Sequence, residues 1–120
     1  MLNIRPSQFA SFEGALVREF ADNLARYVHD RWPAFARAAG GSPALRDLVD
    51  ASVKRARAFG FSRRDHVATW VDWECEFGAQ FYELEKWEWF LAILKNGLDP
   101  AIRVHRIEYR LQVLRNRGTL

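Results

Sequence analysis

Apolar residues recur every three or four positions along most of the chain, the spacing that places them on one face of an α-helix. The first stripe comprises Phe9, Phe12, Leu16, Phe20, Leu24, Tyr27 and Val28. Ser7 is suited to cap this helix, which continues to about Arg31. Pro33 ends or kinks it, because the residue before a proline is disfavoured in the α region. The pattern predicts a long first helix, followed by a short helical segment over Pro33–Ala39.

Residues that start and stop helices divide the rest of the chain into four further predicted helices. They run from Ser42-Pro43 to Gly60, from a capping box at Ser62–Asp65 to Gly78, from near Glu83 to Asn96-Gly97, and from Asp99-Pro100 to just before Gly118. Strand signals are nearly absent, and the connections are short. Because short connections favour antiparallel neighbours, the sequence predicts an all-α fold. We expect a compact bundle of about five helices that forms a single domain over residues 1–120.

The stretch Val67–Leu94 carries four of the five tryptophans and six acids against one base, Lys86. Glu74 falls in the middle of the apolar face of its predicted helix. A buried charge needs a partner, because its desolvation costs several kcal/mol. We therefore favour an intramolecular salt bridge from Glu74 to an arginine of a basic helix. The alternatives are a site that anchors a partner and a catalytic acid.

Two predicted helices carry more apolar surface than one core face requires. Trp89 and Ile93 lie outside the main stripe of one, and Ile102, Tyr109 and Val113 form a second stripe on the last helix. Either these helices are covered on both sides, or they expose an aromatic patch rimmed by charge, which is typical of protein interfaces. The candidate partner-binding residues are Trp73, Glu74, Glu85, Trp89, Ile93, Arg106, Tyr109 and Arg110. Self-association into a homo-oligomer is another use of such a surface.

Charge is unevenly distributed, although the net charge is only +3. Residues 54–64 carry five bases and no acid, residues 72–88 carry six acids and one base, and residues 99–117 carry five arginines and two acids. Either the basic and acidic helices neutralise one another, or the surface is bipolar and steers a charged partner. A nucleic-acid-binding regulator that uses Arg106 and Arg110 is a weaker alternative, since the acidic stretch would repel phosphates.

Spacings that support catalysis or metal binding are missing from the sequence. His29, His66 and His105 fall on separate predicted helices without carboxylates at helical ligand spacing. There is no phosphate-binding glycine loop and no nucleophile elbow. Cys75, the single cysteine, is interpreted as a small hydrophobe. We expect no enzyme activity, no cofactor and no metal. The lone cysteine and an N-terminus without an apolar signal segment favour the cytoplasm, and no apolar run is long enough to span a membrane.

Three segments of the sequence resemble a known group of proteins. They are MLNIRPSQF at the start, RARAFGF followed by Asp65, His66 and Val67, and Phe77-Gly78 with Phe81, Trp87 and the Ile93-Leu94 pair. This pattern is similar to that of small helical accessory proteins encoded beside type VI secretion effectors and spike components. The acidic segment Asp72–Glu76 departs from the more apolar version of the pattern.

The resemblance implies a non-catalytic accessory role that involves another protein, a toxin effector or a secretion component. The protein would be a chaperone or adaptor that masks effector surface before export. An immunity factor that neutralises the toxin is the alternative, and the acidic side chains Glu83, Glu85 and Glu88 would suit a basic toxin.

Overall fold

The computed structural model describes the backbone from Pro6 to Leu120 and the side chains from Arg18 onward. Every regular element within these residues is helical, so the all-α prediction is confirmed. The described α-helices are α1 (Pro6–Arg31), α2 (Pro33–Ala39), α3 (Ser42–Ala58), α4 (Arg64–Phe77), α5 (Glu88–Leu94) and α6 (Pro100–Asn116). The side chains of Ser7, Phe9, Phe12 and Leu16 lie outside the described residues. The predictions of a cap at Ser7 and of an apolar stripe through the other three therefore stay predictions. No described helix is long and apolar enough to cross a membrane.

The chain divides into two compact units, one up to Val53 and one from Lys54 to Leu120. In the first unit, α2 packs against the end of α1, and apolar side chains of α1 and α3 are buried. Arg46 on α3 pairs with Asp22 on α1 and with Asp50 one turn further along its own helix. The second unit contains the aromatic-rich stretch Val67–Leu94.

The helix α3 ends at Ala58, close to the predicted end at Gly60. Gly60 has a φ of 93°, its N–H donates to the Arg57 carbonyl, and the Phe61 N–H donates to the Ala56 carbonyl. This pair of bonds is a Schellman motif, which satisfies the last carbonyls of the helix. Phe61 is fully buried just beyond the turn, so the turn also delivers an aromatic ring to the core.

The predicted capping box at Ser62–Asp65 is wrong. The N-cap of α4 is Arg63, whose backbone is extended, and no side chain caps the helix. The Arg63 guanidinium instead holds the Asp65 carboxylate at 2.7 Å, and that carboxylate also accepts the His66 N–H. The Asp65 carboxylate therefore pairs with Arg63 instead of accepting the Ser62 N–H, as a capping box would require.

The predicted helix start near Glu83 is also wrong, because α5 begins only at Glu88. Two 3₁₀ turns, Phe81–Glu83 and Glu85–Trp87, precede it, with Leu84 extended between them. The tight turns bury the adjacent rings of Phe81 and Tyr82 together with Trp87 and leave Leu84 exposed.

Arg103 ties α6 to the rest of the second unit. It is only 6% exposed, and its guanidinium donates to the carbonyls of Leu98, Phe59 and Leu94 at 3.0, 2.7 and 2.9 Å. The same group lies over the Phe61 ring. Phe59 directly follows α3 and Leu94 is the last residue of α5, so two of these carbonyls lie at helix C-termini, where a cation is favoured.

Candidate functional site

A buried carboxylate organises the polar part of the second-unit core. Glu74 is 3% exposed, and it accepts two hydrogen bonds from the Arg55 Nε and one from its terminal nitrogen, at 2.9–3.2 Å. It also accepts the Trp70 indole N–H at 3.0 Å and the Gln80 backbone N–H at 2.9 Å. We refer to Glu74, Arg55, Trp70 and Gln80 as the Glu74 centre. The prediction of an intramolecular salt bridge from Glu74 to an arginine is confirmed.

The Glu74 centre also alters its neighbours. Gln80 has a φ of 56°, a left-handed conformation that is unusual for a residue with a side chain, and the bond from its N–H to Glu74 holds it there. Burial raises the pKa of the Tyr82 hydroxyl, and the Glu74 carboxylate raises it further while Arg55 opposes the shift. Burial, with the nearby charges of Asp72 and Glu74, raises the pKa of the Cys75 thiol to about 12.

Trp73 is buried as well. It is 2% exposed, its indole N–H donates to the Glu108 carboxylate on α6 at 2.8 Å, and its ring packs edge-on against Phe90. Trp73 and Glu74 were candidate partner-binding residues on the basis of the sequence. The structure places both inside the second unit, where their polar atoms bond to other parts of the same unit.

Three of the remaining candidates, Trp89, Tyr109 and Arg110, line neighbouring depressions on the surface of α5 and α6. The Arg110 guanidinium lies 5.0 Å from the centre of the half-buried Trp89 ring, and Lys86 lies 5.8 Å from the Trp87 ring. These side chains flank a cavity of about 290 Å³, whose other walls are Phe77, Leu114, Thr119 and Leu120. We call it the α5–α6 groove. A second depression of about 320 Å³ shares Arg110 and Leu114 with the groove and is completed by Tyr109, Val113 and Arg117.

The other candidate residues lie at different depths. Tyr109 is 67% exposed, Glu85 and Arg106 are exposed, and Ile93 is half-buried. Of these four, only Tyr109 contributes to the walls of the groove or its neighbouring depression. The structure thus brings together Trp89, Tyr109 and Arg110 from the predicted set.

Several groove residues were not identified from the sequence. Lys86, Trp87 and Leu114 line the groove but are not among the partner-binding residues predicted from the sequence. The signal available for Lys86 was its position next to Trp87 in the sequence, since a lysine beside a tryptophan can lie over the ring. Arg117 lies one turn after Val113, a spacing that places both on one face of a helix.

The basic face predicted for α6 is smaller than its sequence indicated. Arg103 is buried against carbonyls, and Arg115 pairs with Glu76 at 2.7 Å. Two of the five arginines between residues 99 and 117 are therefore occupied within the unit. Arg106, Arg110 and Arg117 remain exposed, which leaves a short basic surface rather than a continuous phosphate-binding stripe.

Among the described residues, no group of three or more His, Cys, Asp and Glu side chains converges in an arrangement that could hold a metal ion. Comparison of the chain with protein-family models, with curated proteins and with solved structures found no match.

Proposed function

We propose that this protein is a non-catalytic protein-binding factor that acts in the cytoplasm as a chaperone or adaptor for a secreted type VI toxin effector. The observation that supports binding is the surface of α5 and α6, where Arg110 lies between two neighbouring depressions, one lined by Trp89 and the other by Tyr109. Tyrosine, tryptophan and arginine dominate the energetic centres of protein interfaces. The sequence resemblance supplies the class of partner.

Co-expression with the products of neighbouring reading frames tests this proposal. We expect one effector or secretion component to co-purify in a fixed stoichiometry, and Tyr109→Ala to weaken the complex. Ile102→Ala is the matched control, because Ile102 is an exposed apolar residue of α6 that lies outside the groove and the depression. Failure of every neighbouring product to bind contradicts the proposed function. A complex that both substitutions affect equally contradicts the assignment of the surface.

An immunity role is the second candidate, and a separate observation favours it. Glu83, Glu85 and Glu88 are all exposed on the turns before and at the start of α5, where they would meet a basic toxin. Expression of the partner toxin with and without this protein distinguishes the two roles. An immunity protein restores growth, and Glu85→Lys with Glu88→Lys abolishes the rescue. A chaperone raises the yield of toxin without restoring growth.

A further inference from the structure

We propose that the α5–α6 groove binds an acidic peptide segment of the partner, and that an aliphatic or aromatic side chain of this segment inserts between Trp89 and Leu114. This inference rests on the proposed function and specifies the chemistry of the partner. It differs from the expectation drawn from the acidic stretch, which pointed to a basic partner.

The size of the groove limits what it can hold. Its volume of about 290 Å³ is at the lower limit of the roughly 300–1,000 Å³ that is usual for small-molecule sites. Most of its walls are apolar and include Phe77, Trp87, Trp89 and Leu114. A space of this size and character suits one or two apolar side chains of a peptide.

The charged side chains that line the groove and its neighbouring depression are all basic. Lys86 and Arg110 flank it, and Arg117 lies in the adjoining depression. No acidic side chain is among the walls of either cavity, although Glu85 and Glu88 flank Lys86 and Trp87 along the chain. In the part of the chain that the structure describes, none of these three cations takes part in an ion pair.

Arg110 is held in a position suited to such a partner. Its guanidinium lies over the Trp89 ring, 5.0 Å from the ring centre, and a cation–π contact of this kind restricts the side chain while its N–H groups remain available to carboxylates. A carboxylate that binds there would meet a cation whose side-chain entropy is already reduced. Complementary charge then supplies orientation and specificity, and the apolar side chain supplies buried area.

Fluorescence anisotropy with labelled synthetic peptides of about twelve residues tests the inference. The probe contains glutamates and aspartates around one leucine and one phenylalanine. One control peptide has lysine at every acidic position, and a second has serine at both apolar positions. We expect the probe to bind and both controls to bind at least about tenfold more weakly, with affinity falling as salt rises. If the anisotropy of the probe does not saturate up to about 1 mM protein, the inference is overturned.

The chain offers a matched pair of charge reversals. Arg110→Glu and Arg106→Glu change the net charge equally, and both residues are exposed on α6, but only Arg110 borders the groove. We expect Arg110→Glu to weaken probe binding by about tenfold or more, and Arg106→Glu by less than about threefold. Equal losses would indicate diffuse electrostatic attraction and would overturn the groove assignment. The same two variants can be assayed for binding to single-stranded DNA. If the protein binds nucleic acid through its exposed arginines, both substitutions should weaken DNA binding.

Failure of this inference can be separated from failure of the proposed function. If the probe does not bind but a neighbouring gene product still co-purifies with the Arg110→Glu variant, the groove is not the partner site and the accessory role stands. If the probe binds as expected and no neighbouring product co-purifies, the groove inference stands and the accessory role fails. Light scattering tests whether a second copy of the chain occupies the groove. Dimers that form with the original protein and are lost in Arg110→Glu would show this, and would also overturn the inference.

Discussion

Two regions of the second unit combine aromatic rings with charged side chains, and they differ in where the charges find partners. In the Glu74 centre, the carboxylate is satisfied by Arg55, the Trp70 indole and a backbone N–H, all within the unit. In the α5–α6 groove, Arg110 and Lys86 face aromatic rings at the surface. The comparison indicates that residue types alone do not separate a structural centre from a binding surface. Burial and the completeness of hydrogen bonding do.

Removal of the Glu74 carboxylate should have the largest effect. Glu74→Ala leaves Arg55 without its carboxylate and leaves the Trp70 and Gln80 N–H groups without an acceptor. Loss of one partner of a buried ion pair costs about 3–5 kcal/mol, so we expect that decrease in the free energy of unfolding, measured by urea titration. Glu76→Ala is the control. It breaks the more exposed pair with Arg115 and should cost no more than about 1 kcal/mol. Similar losses for the two variants would contradict the comparison.

Arg103 extends the comparison to a buried cation. Arg103→Leu removes three hydrogen bonds to backbone carbonyls, and buried acceptors left unsatisfied cost about 1–3 kcal/mol each. We expect a loss of about 2–4 kcal/mol in denaturant unfolding, since water can reach some of the vacated carbonyls. Arg103→Lys keeps the charge but lacks the planar fork, and should recover less than half of the loss. Full recovery by lysine would show that charge rather than geometry holds these helix ends.

Cys75 tests the environment near the Glu74 centre. Its pKa of about 12, against an ordinary value of 9.0, means that the folded protein retains a proton that the unfolded chain releases. Stability should therefore be fully present below pH 9 and fall as the pH rises toward 12. At pH 8, we expect iodoacetamide to modify Cys75 at least about 100-fold more slowly in the native protein than in urea. Cys75→Ala should flatten the alkaline decline in stability, and an unchanged decline would place its source elsewhere.

The smallest effect on stability is expected in the groove. Arg110→Ala loses an exposed cation–π contact with Trp89, which is worth about 0.5–1 kcal/mol. We expect the free energy of unfolding to fall by less than about 1 kcal/mol, even though the groove loses one of its cations. A larger loss would indicate that Arg110 has a structural role like that of Arg103.

Local chain chemistry predicted much of the fold. Pro33, Gly60, Gly78 and the Asp99-Pro100 pair act on their own backbone, so the adjacent helix ends could be anticipated. The start of α5 could not. It depends on the burial of Phe81, Tyr82 and Trp87 against other helices, and this tertiary packing overrides helical periodicity.

The candidate site was predictable only in part. Periodicity placed Trp89 and Tyr109 outside the main stripes, and these residues line two neighbouring depressions that share Arg110. The same reasoning left the depth of Trp73 open, because an indole that donates to a distant acid such as Glu108 leaves no local signal in the sequence. The contribution of Lys86 and Leu114 to one groove likewise depends on how α6 packs beside the turns that precede α5.

Indole N–H resonances provide the most direct test of the central claim that the groove, and not the Glu74 centre, receives the partner. The five tryptophans give separate signals in a ¹H–¹⁵N spectrum, assigned by single substitutions to phenylalanine. On addition of the acidic peptide, we predict that the signal of Trp89 shifts, while Trp70 and Trp73, which donate to Glu74 and Glu108, do not move. Shifts of Trp70 and Trp73 without a shift of Trp89 would contradict the account.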